Sequence, residues 1–291
     1  MSSNEELSNE VADSYYIQSC TGQQLFCKYW PTEGKPRALA FVAHGYAEHC
    51  CIYEDLAQAL VKSGILTFGH DHVGHGRSEG SRTLVGTLDN CVEDVFRHVN
   101  VMKEKYPGLP VFLVGHSMGG TIGVLAALKK PEEISGFVAI AAGISWNSEG
   151  VTPLKRFIAS WLGRFFPSFP VSTMNYDLVI RTEEGKQKVL EDPYMYKGPW
   201  VKAGWAKTML DNASKVQAEL QNIDVPLLIL HGGQDKICDI SGAKKLYETS
   251  KTKDKTLKVY PDSYHCLFLE PDGIPEQVID ETVNWITTRI Q

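Results

Sequence analysis

The sequence predicts an α/β fold with a mostly parallel central sheet flanked by helices. Two observations carry that prediction and a third qualifies it. Short, fully apolar runs of strand length alternate with amphipathic stretches of helical period along most of the chain. A strand that is apolar on both faces needs cover on both faces, which is the condition of a parallel sheet between helical layers. One segment, about residues 145–222, interrupts the alternation and reads as an inserted helical cap.

Taken in order, residues 1–13 (MSSNEELSNEVAD) are acidic and polar and are expected to be a disordered tail. SYYIQSC and QLFCKYW flank TGQ, where Gly22 can take a positive φ, so they form an antiparallel hairpin. ALAFVAH (38–44) is a strand, YEDLAQALVKSG a helix ending on Gly64, and ILTFGH (65–70) the next strand. Residues 89–106 are amphipathic with a period near 3.6, PVFLVG (110–115) is a strand, SMGGTIGVLAALKK a helix, and SGFVAIAAG (135–143) a strand. Beyond the insertion, VPLLILHG (225–232), SGAKKLYETS, KTLKVYP (255–261) and PEQVIDETVNWITTRI resume the alternation. The core is therefore expected in residues 14–144 and 223–291. The insertion lacks apolar β runs and is rich in prolines and aromatics, among them Trp146, Trp161, Phe165, Phe166, Phe169, Trp200 and Trp205.

Bulk properties exclude several functions. A net charge of −6 and a pI near 5.9, with no basic run, give no footprint for a phosphate backbone, so nucleic acid is not an expected partner. The N-terminus has neither the basic end nor the apolar stretch of a secretory signal, and a cytoplasmic protein is expected. No apolar run approaches the roughly 20 residues that span a bilayer, so membrane contact would be peripheral. Seven cysteines without CxxC spacing suit reduced thiols. The sequence says nothing of oligomeric state.

Gly115-His116-Ser117-Met118-Gly119 has the form GxSxG. The string alone is weak, but a strand precedes it and a helix follows at once, the setting of a nucleophile elbow. A serine hydroxyl needs a base, and the base an acid to orient it. Asp235 follows VPLLIL and His265 follows KTLKVY, giving Ser117, Asp235 and His265 in chain order, each just past the carboxyl end of a strand. Asp239 lies nearer the start of the next helix, where a carboxylate caps, and Asp262 is too close to His265 along the chain. The oxyanion hole needs two backbone N–H groups. Met118 supplies one and Tyr46, in the loop after ALAFVAH, the other; His44 steadies that loop.

With HGYAEH, HDHVGHGRSEG, YPGLPVFLVGHSMGG, QDKICD and KTLKVYPDSYH, the chain from about Ser14 onward resembles the monoacylglycerol lipase family of serine hydrolases with the α/β-hydrolase fold. The resemblance implies hydrolysis of monoacylglycerols through an acyl-enzyme on Ser117, with His265 as base then acid, Asp235 as its orienter, and no metal or organic cofactor. It also implies substrate contacts from Glu48, His116 and Phe268. The chain departs from the family at three positions associated there with the glycerol end: Ser-Gly-Arg-Tyr is replaced by Cys50-Cys51-Ile52-Tyr53, a histidine by Phe268, and a cap tyrosine by Val189. A pocket short of donors discriminates less between a glycerol ester and a simple alkyl ester.

Leu154, Phe157, Ile158, Trp161, Leu162, Phe165 and Phe166 recur at helical spacing, with Lys155, Arg156 and Arg164 off the stripe. Such a helix either lies in a membrane interface, with Phe157, Trp161 and Phe165 as contacts, or lines the acyl path and packs on the core. Cys266 adjoins the base and Cys238 follows the acid by three residues, which makes them candidates for oxidation or else buried bystanders. HDHVGHG (70–76) resembles a metal site in composition, but its reading is structural: Asp71 and the histidines His70, His72 and His75 tie a glycine-rich loop beside the oxyanion strand. The rival functions are a lysophospholipase or general carboxylesterase on the same scaffold, and a non-catalytic receptor or binding protein of this fold.

Overall fold

The computed structural model describes residues 13–145 and 152–290; residues 1–12 of the expected N-terminal tail and Trp146 lie outside them. The chain order is β1 (Ser14–Gln18), β2 (Gln24–Trp30), β3 (Ala38–Ala43), α1 (Glu54–Lys62), β4 (Ile65–His70), α2 (Leu88–Lys105), β5 (Val111–His116), α3 (Met118–Lys129) and β6 (Gly136–Ile140). It continues with α4 (Pro153–Phe165), β7 (Pro170–Thr173), α5 (Glu183–Glu191), β8 (Trp200–Lys202), α6 (Ala203–Glu219), β9 (Leu227–Gly232), α7 (Ile240–Thr249), β10 (Lys255–Tyr260) and α8 (Ile274–Thr287).

Eight strands form one sheet in the order β1-β2-β4-β3-β5-β6-β9-β10. β1, β2 and β4 pair antiparallel and the rest pair parallel. The hairpin turn places Gly22 at φ 97°, as its sequence requires. Every residue of β3, β4, β5, β6 and β9 is buried, which explains their unbroken apolar runs. One face of the sheet meets Val92, Val95, Ile122 and Leu246 from α2, α3 and α7; the other meets Leu56, Leu60, Val278 and Ile286 from α1 and α8. The strand order reverses between β3 and β5, and ligands in open α/β sheets bind beyond the carboxyl ends of strands at such a reversal.

The segment between β6 and β9 differs in two ways from its sequence reading. It contains a two-stranded antiparallel ribbon, β7 with β8, whose residues are mostly exposed. Strands of four and three residues with no apolar alternation leave no periodic signal. Moreover α6 turns Trp205, Met209 and Val216 into the main core, so the last helix of the insertion is built into the sheet's cover.

Candidate active site

Ser117 sits on the single residue between β5 and α3 with φ 52° and ψ −113°, a conformation that costs a non-glycine residue about 1–3 kcal/mol. Its surroundings hold it there: the Ser117 amide donates to the Ile140 carbonyl at 2.9 Å, and the amides of Thr121 and Gly143 donate to the Ser117 carbonyl at 3.1 and 3.2 Å. Strand and helix approach so closely that a Cβ on Gly119 would overlap the Ala43 carbonyl, which is why that position carries no side chain. The hydroxyl thus stands at the mouth of the strand rather than within a regular element.

Two loops bring the remaining groups to it. His265, after β10, accepts the Ser117 hydroxyl on Nε2 at 2.9 Å, and its Nδ1 donates to Asp235 Oδ2 at 2.7 Å. Asp235, after β9, accepts the amides of Ile237 and Cys238 on Oδ1 at 2.8 and 2.9 Å. Burial alone would raise this carboxyl, but His265 and the hydrogen bonds around it outweigh burial and hold it below its ordinary value. Asp239 caps α7 by accepting the Ser241 amide at 2.8 Å, the structural role assigned to it from sequence. One neighbour escaped the sequence reading. His231 is fully buried, donates from Nε2 to the Cys238 carbonyl at 3.0 Å and lies 3.5 Å from Asp235 Oδ2, so it braces the loop that carries the acid. The four-residue spacing from His231 to Asp235 was its only signal.

The loop after β3 lies across the strand reversal. Among the described residues no acceptor meets the amide of Tyr46 or of Met118, while the adjacent Gly45 amide is taken by Glu48 Oε2 at 2.7 Å. Glu48 Oε2 also accepts the Tyr53 hydroxyl at 2.6 Å, and the carboxylate pairs with His116 Nδ1 at 3.2 Å. His116 Nε2 faces the His265 carbonyl at 3.3 Å. Both of its partners are acceptors, an arrangement that favours the protonated ring. Accordingly, although burial opposes both charges, their mutual attraction raises His116 and, with Tyr53 and Gly45, lowers Glu48 to about 2. The Tyr46 ring stacks on Trp205 of α6 at 4.3 Å, His49 Nε2 meets Asp192 at 2.9 Å and the Tyr196 amide donates to the Ala47 carbonyl at 2.9 Å. Residues of the 145–222 segment therefore hold the loop in place.

A cavity of about 360 Å³ opens beside this network, with Glu48, His116, Cys266 and Phe268 on one side and Tyr176, Val179, Val189 and Met195 on the other. The three sequence-predicted substrate contacts thus share one cavity, and Ile52 and Val189 line it with them. A buried serine, histidine and aspartate in hydrogen-bonded series beside a mostly apolar cavity can perform acyl transfer.

The family model described as "Serine aminopeptidase, S33" matches residues 34–272. Monoglyceride lipase of Rattus norvegicus is 38% identical over 278 residues, covering 96% of this chain and 91% of the relative. The chain belongs to the monoglyceride lipase family. A monoacylglycerol lipase of Mycolicibacterium smegmatis is 32% identical over 92% of this chain and 95% of its own length. The crystal structure of a monoacylglycerol lipase from Paleococcus ferrophilus superposes with a TM-score of 0.81 at 25% identity, covering 91% of this chain and 99% of that one. The sheet and its helices are those of the α/β-hydrolase fold expected from sequence.

Against the monoglyceride lipase background, the histidine-rich loop is placed by its hydrogen bonds. Asp71 accepts the amides of Cys50 and Arg77 at 2.8 Å each, and His44 accepts the His72 amide on Nε2 at 2.9 Å. His70, His72 and His75 are buried, and burial lowers all three. Two groups among the described residues bring ligand-type atoms together: Glu48 with His116 and Cys266, and Asp235 with Cys238 and His265. Neither includes a histidine of that loop, and in both the carboxylate and imidazole are already each other's partners. Cys238 and Cys266 are buried, and burial pushes both thiols well above their ordinary value. That environment is the one of inert thiols, the bystander alternative of the sequence reading.

On α4 the apolar stripe faces outward. Phe157 is 68% exposed, Trp161 49% and Phe165 57%, while the opposite side packs so closely on α6 that a Cβ on Gly163 would collide with the Lys207 Cβ at 2.5 Å. No helix of the described residues is long and apolar enough to cross a membrane.

Proposed function

We propose that this chain hydrolyses monoacylglycerols to glycerol and fatty acid, with Ser117 as nucleophile, His265 as base then acid, and Asp235 holding the imidazole tautomer. The observation that carries this reading is the unbroken series from Ser117 Oγ to His265 Nε2 at 2.9 Å and from His265 Nδ1 to Asp235 Oδ2 at 2.7 Å, in a chain 38% identical to a monoglyceride lipase. The Ser117 proton passes to His265 as Oγ bonds to the ester carbon, and the amides of Tyr46 and Met118, the latter at the N-terminus of α3, receive the developing oxyanion. His265 returns the proton to the departing glycerol oxygen. Water activated by the same imidazole then releases the fatty acid. Residues 145–222 act as the cap over this site, supplying Val179, Val189 and Met195 to the cavity wall.

Labelling with a fluorophosphonate probe and turnover of a monoacylglycerol test the reading together. Wild-type protein is expected to label and the Ser117→Ala variant not to. Equal labelling of both, or none of the wild type, refutes the enzymatic reading and favours the binding-protein alternative. Parallel rates on lysophosphatidylcholine and on nitrophenyl esters separate the lysophospholipase and carboxylesterase alternatives.

The outward stripe of α4 supports peripheral membrane contact, with Phe157, Trp161 and Phe165 entering the interface. Each large aromatic side chain buries about 150–250 Å² on full insertion, so losing two of them removes a substantial apolar contribution. The double variant Trp161→Ser/Phe165→Ser is expected to bind anionic liposomes about ten- to a hundredfold more weakly, with thermal unfolding nearly unchanged because both positions are half-exposed. Unchanged liposome binding by the folded variant would remove the membrane role.

A further inference from the structure

We propose that Cys51 is a covalent modification site: a thiol held by His49 and Arg77 that adds to small α,β-unsaturated carbonyl compounds and, once modified, loosens the part of the cap that walls the cavity. The proposal does not depend on the reading of Ser117.

Cys50 and Cys51 stand where the family carries Ser-Gly, on the short turn that leads from the loop after β3 into α1. Cys50 is buried, whereas Cys51 is partly exposed and open to a small reagent. Arg77 Nη1 donates to Cys51 Sγ at 3.6 Å, and the His49 ring lies beside the same sulfur. His49 is 3% exposed, its Nε2 donates to Asp192 Oδ2 at 2.9 Å, and its Nδ1 meets no partner among the described residues. A buried ring nitrogen left open is costly, and this one is the atom free to take the Cys51 proton. Thiol, imidazole and carboxylate thus stand in series, the arrangement that activates a cysteine. The hydrogen bond from the Cys50 thiol, followed by those of His49 and the charge of Arg77, outweighs burial and the Asp71 carboxylate and holds Cys51 down at about 5. Burial raises the other six thiols. Of the seven cysteines, Cys51 alone is both accessible and ionised near neutral pH.

The addition balances without a further reagent. The sulfur's electron pair forms a bond to the β-carbon, the electrons of the carbon–carbon double bond shift toward the carbonyl, and the proton held by His49 passes to the α-carbon. Arg77 has donors beyond the one spent on sulfur and meets the enolate oxygen as it forms. The same contacts tie the cap down. Arg77 lies over the Tyr194 ring at 3.5 Å, His49 holds Asp192, and Asp192 Oδ1 accepts the amides of Tyr194 and Met195 at 2.8 and 3.3 Å. Asp192 and Met195 in turn wall the cavity. A neutral thioether is a weak acceptor, so Arg77 and His49 lose their anionic partner while the adduct takes up space among these contacts.

Acrylamide is the probe, with adducts located by peptide mass. At pH 6 Cys51 is expected to react about tenfold faster than the thiol of a short unstructured peptide, because its larger thiolate fraction outweighs the lower nucleophilicity of a weakly basic sulfur. Its rate should stay nearly flat from pH 6 to pH 8, where that of the peptide thiol rises roughly seventyfold. Cys51→Ser should abolish the fast reaction, and Asp192→Asn, which weakens the imidazolium, should move its onset up by about one pH unit. In acrylamide-treated wild type, amide hydrogen exchange at Tyr194, Met195 and Tyr196 is expected to quicken about tenfold, and in treated Cys51→Ser not at all. A Cys51 rate that climbs with pH like the peptide's, or an adduct forming first on Cys20, overturns the proposal. So does unchanged exchange at residues 194–196 once Cys51 is modified. The wild-type pH profile and exchange decide both points even if a variant fails to fold.

Discussion

Ser117→Ala is expected to lower kcat on a monoacylglycerol by about 10⁶-fold, His265→Ala by a similar factor, and the double variant by no more than either. The reason lies in the division of labour at the 2.9 Å contact between Ser117 Oγ and His265 Nε2. Without the imidazole the hydroxyl keeps its proton through the attack; without the hydroxyl the imidazole has no proton to take. Each deletion removes the whole covalent route, and only binding and oxyanion stabilisation persist, which leaves a rate about 10³–10⁴-fold above water alone. Both side chains are nearly buried, but alanine removes few atoms at Ser117, and the strained backbone there is held by the amides of Thr121 and Gly143 rather than by the hydroxyl. Thermal unfolding of the serine variant should therefore stay close to wild type. A multiplicative loss in the double variant, or a serine variant retaining a hundredth of wild-type kcat, would falsify the assignment.

How far the sequence reveals this molecule depends on whether a feature is local. β5 and α3 are legible because a buried strand and an apolar helix each leave a run of their own, and Ser117 is legible because the glycines around it have a steric cause. Asp235 and His265 follow from their places beyond β9 and β10. The outward direction of the α4 stripe is not legible, since the same 3.6 period serves a helix packed inward or facing out. Nor is the cavity, whose walls come from Ile52, Val189 and Phe268 on three separate segments and meet only in the folded chain. The pairing of Glu48 with Tyr53, Gly45 and His116 is likewise a matter of three-dimensional arrangement, which no spacing in the sequence announces.

Asp235→Asn is expected to lower kcat by about 10⁴-fold with little change in KM, an effect out of proportion to the exchange of one oxygen for a nitrogen. The hydrogen bonds around residue 235 decide how the amide must sit. Oδ1 accepts from the amides of Ile237 and Cys238, so an asparagine must keep its oxygen there and turn its NH₂ toward His265 Nδ1. That nitrogen then becomes an acceptor, the ring proton moves to Nε2, and Nε2 points a donor at the Ser117 hydroxyl instead of a lone pair. The base is present, in place and in the wrong tautomer. Fluorophosphonate labelling should slow in parallel with kcat, because both require proton removal from Ser117. His231 cannot substitute for the missing acceptor, since its Nε2 donates to the Cys238 carbonyl. The role proposed for aspartate at 235 is to fix which nitrogen of His265 carries the proton, and a variant that kept wild-type kcat would show that another group sets the tautomer.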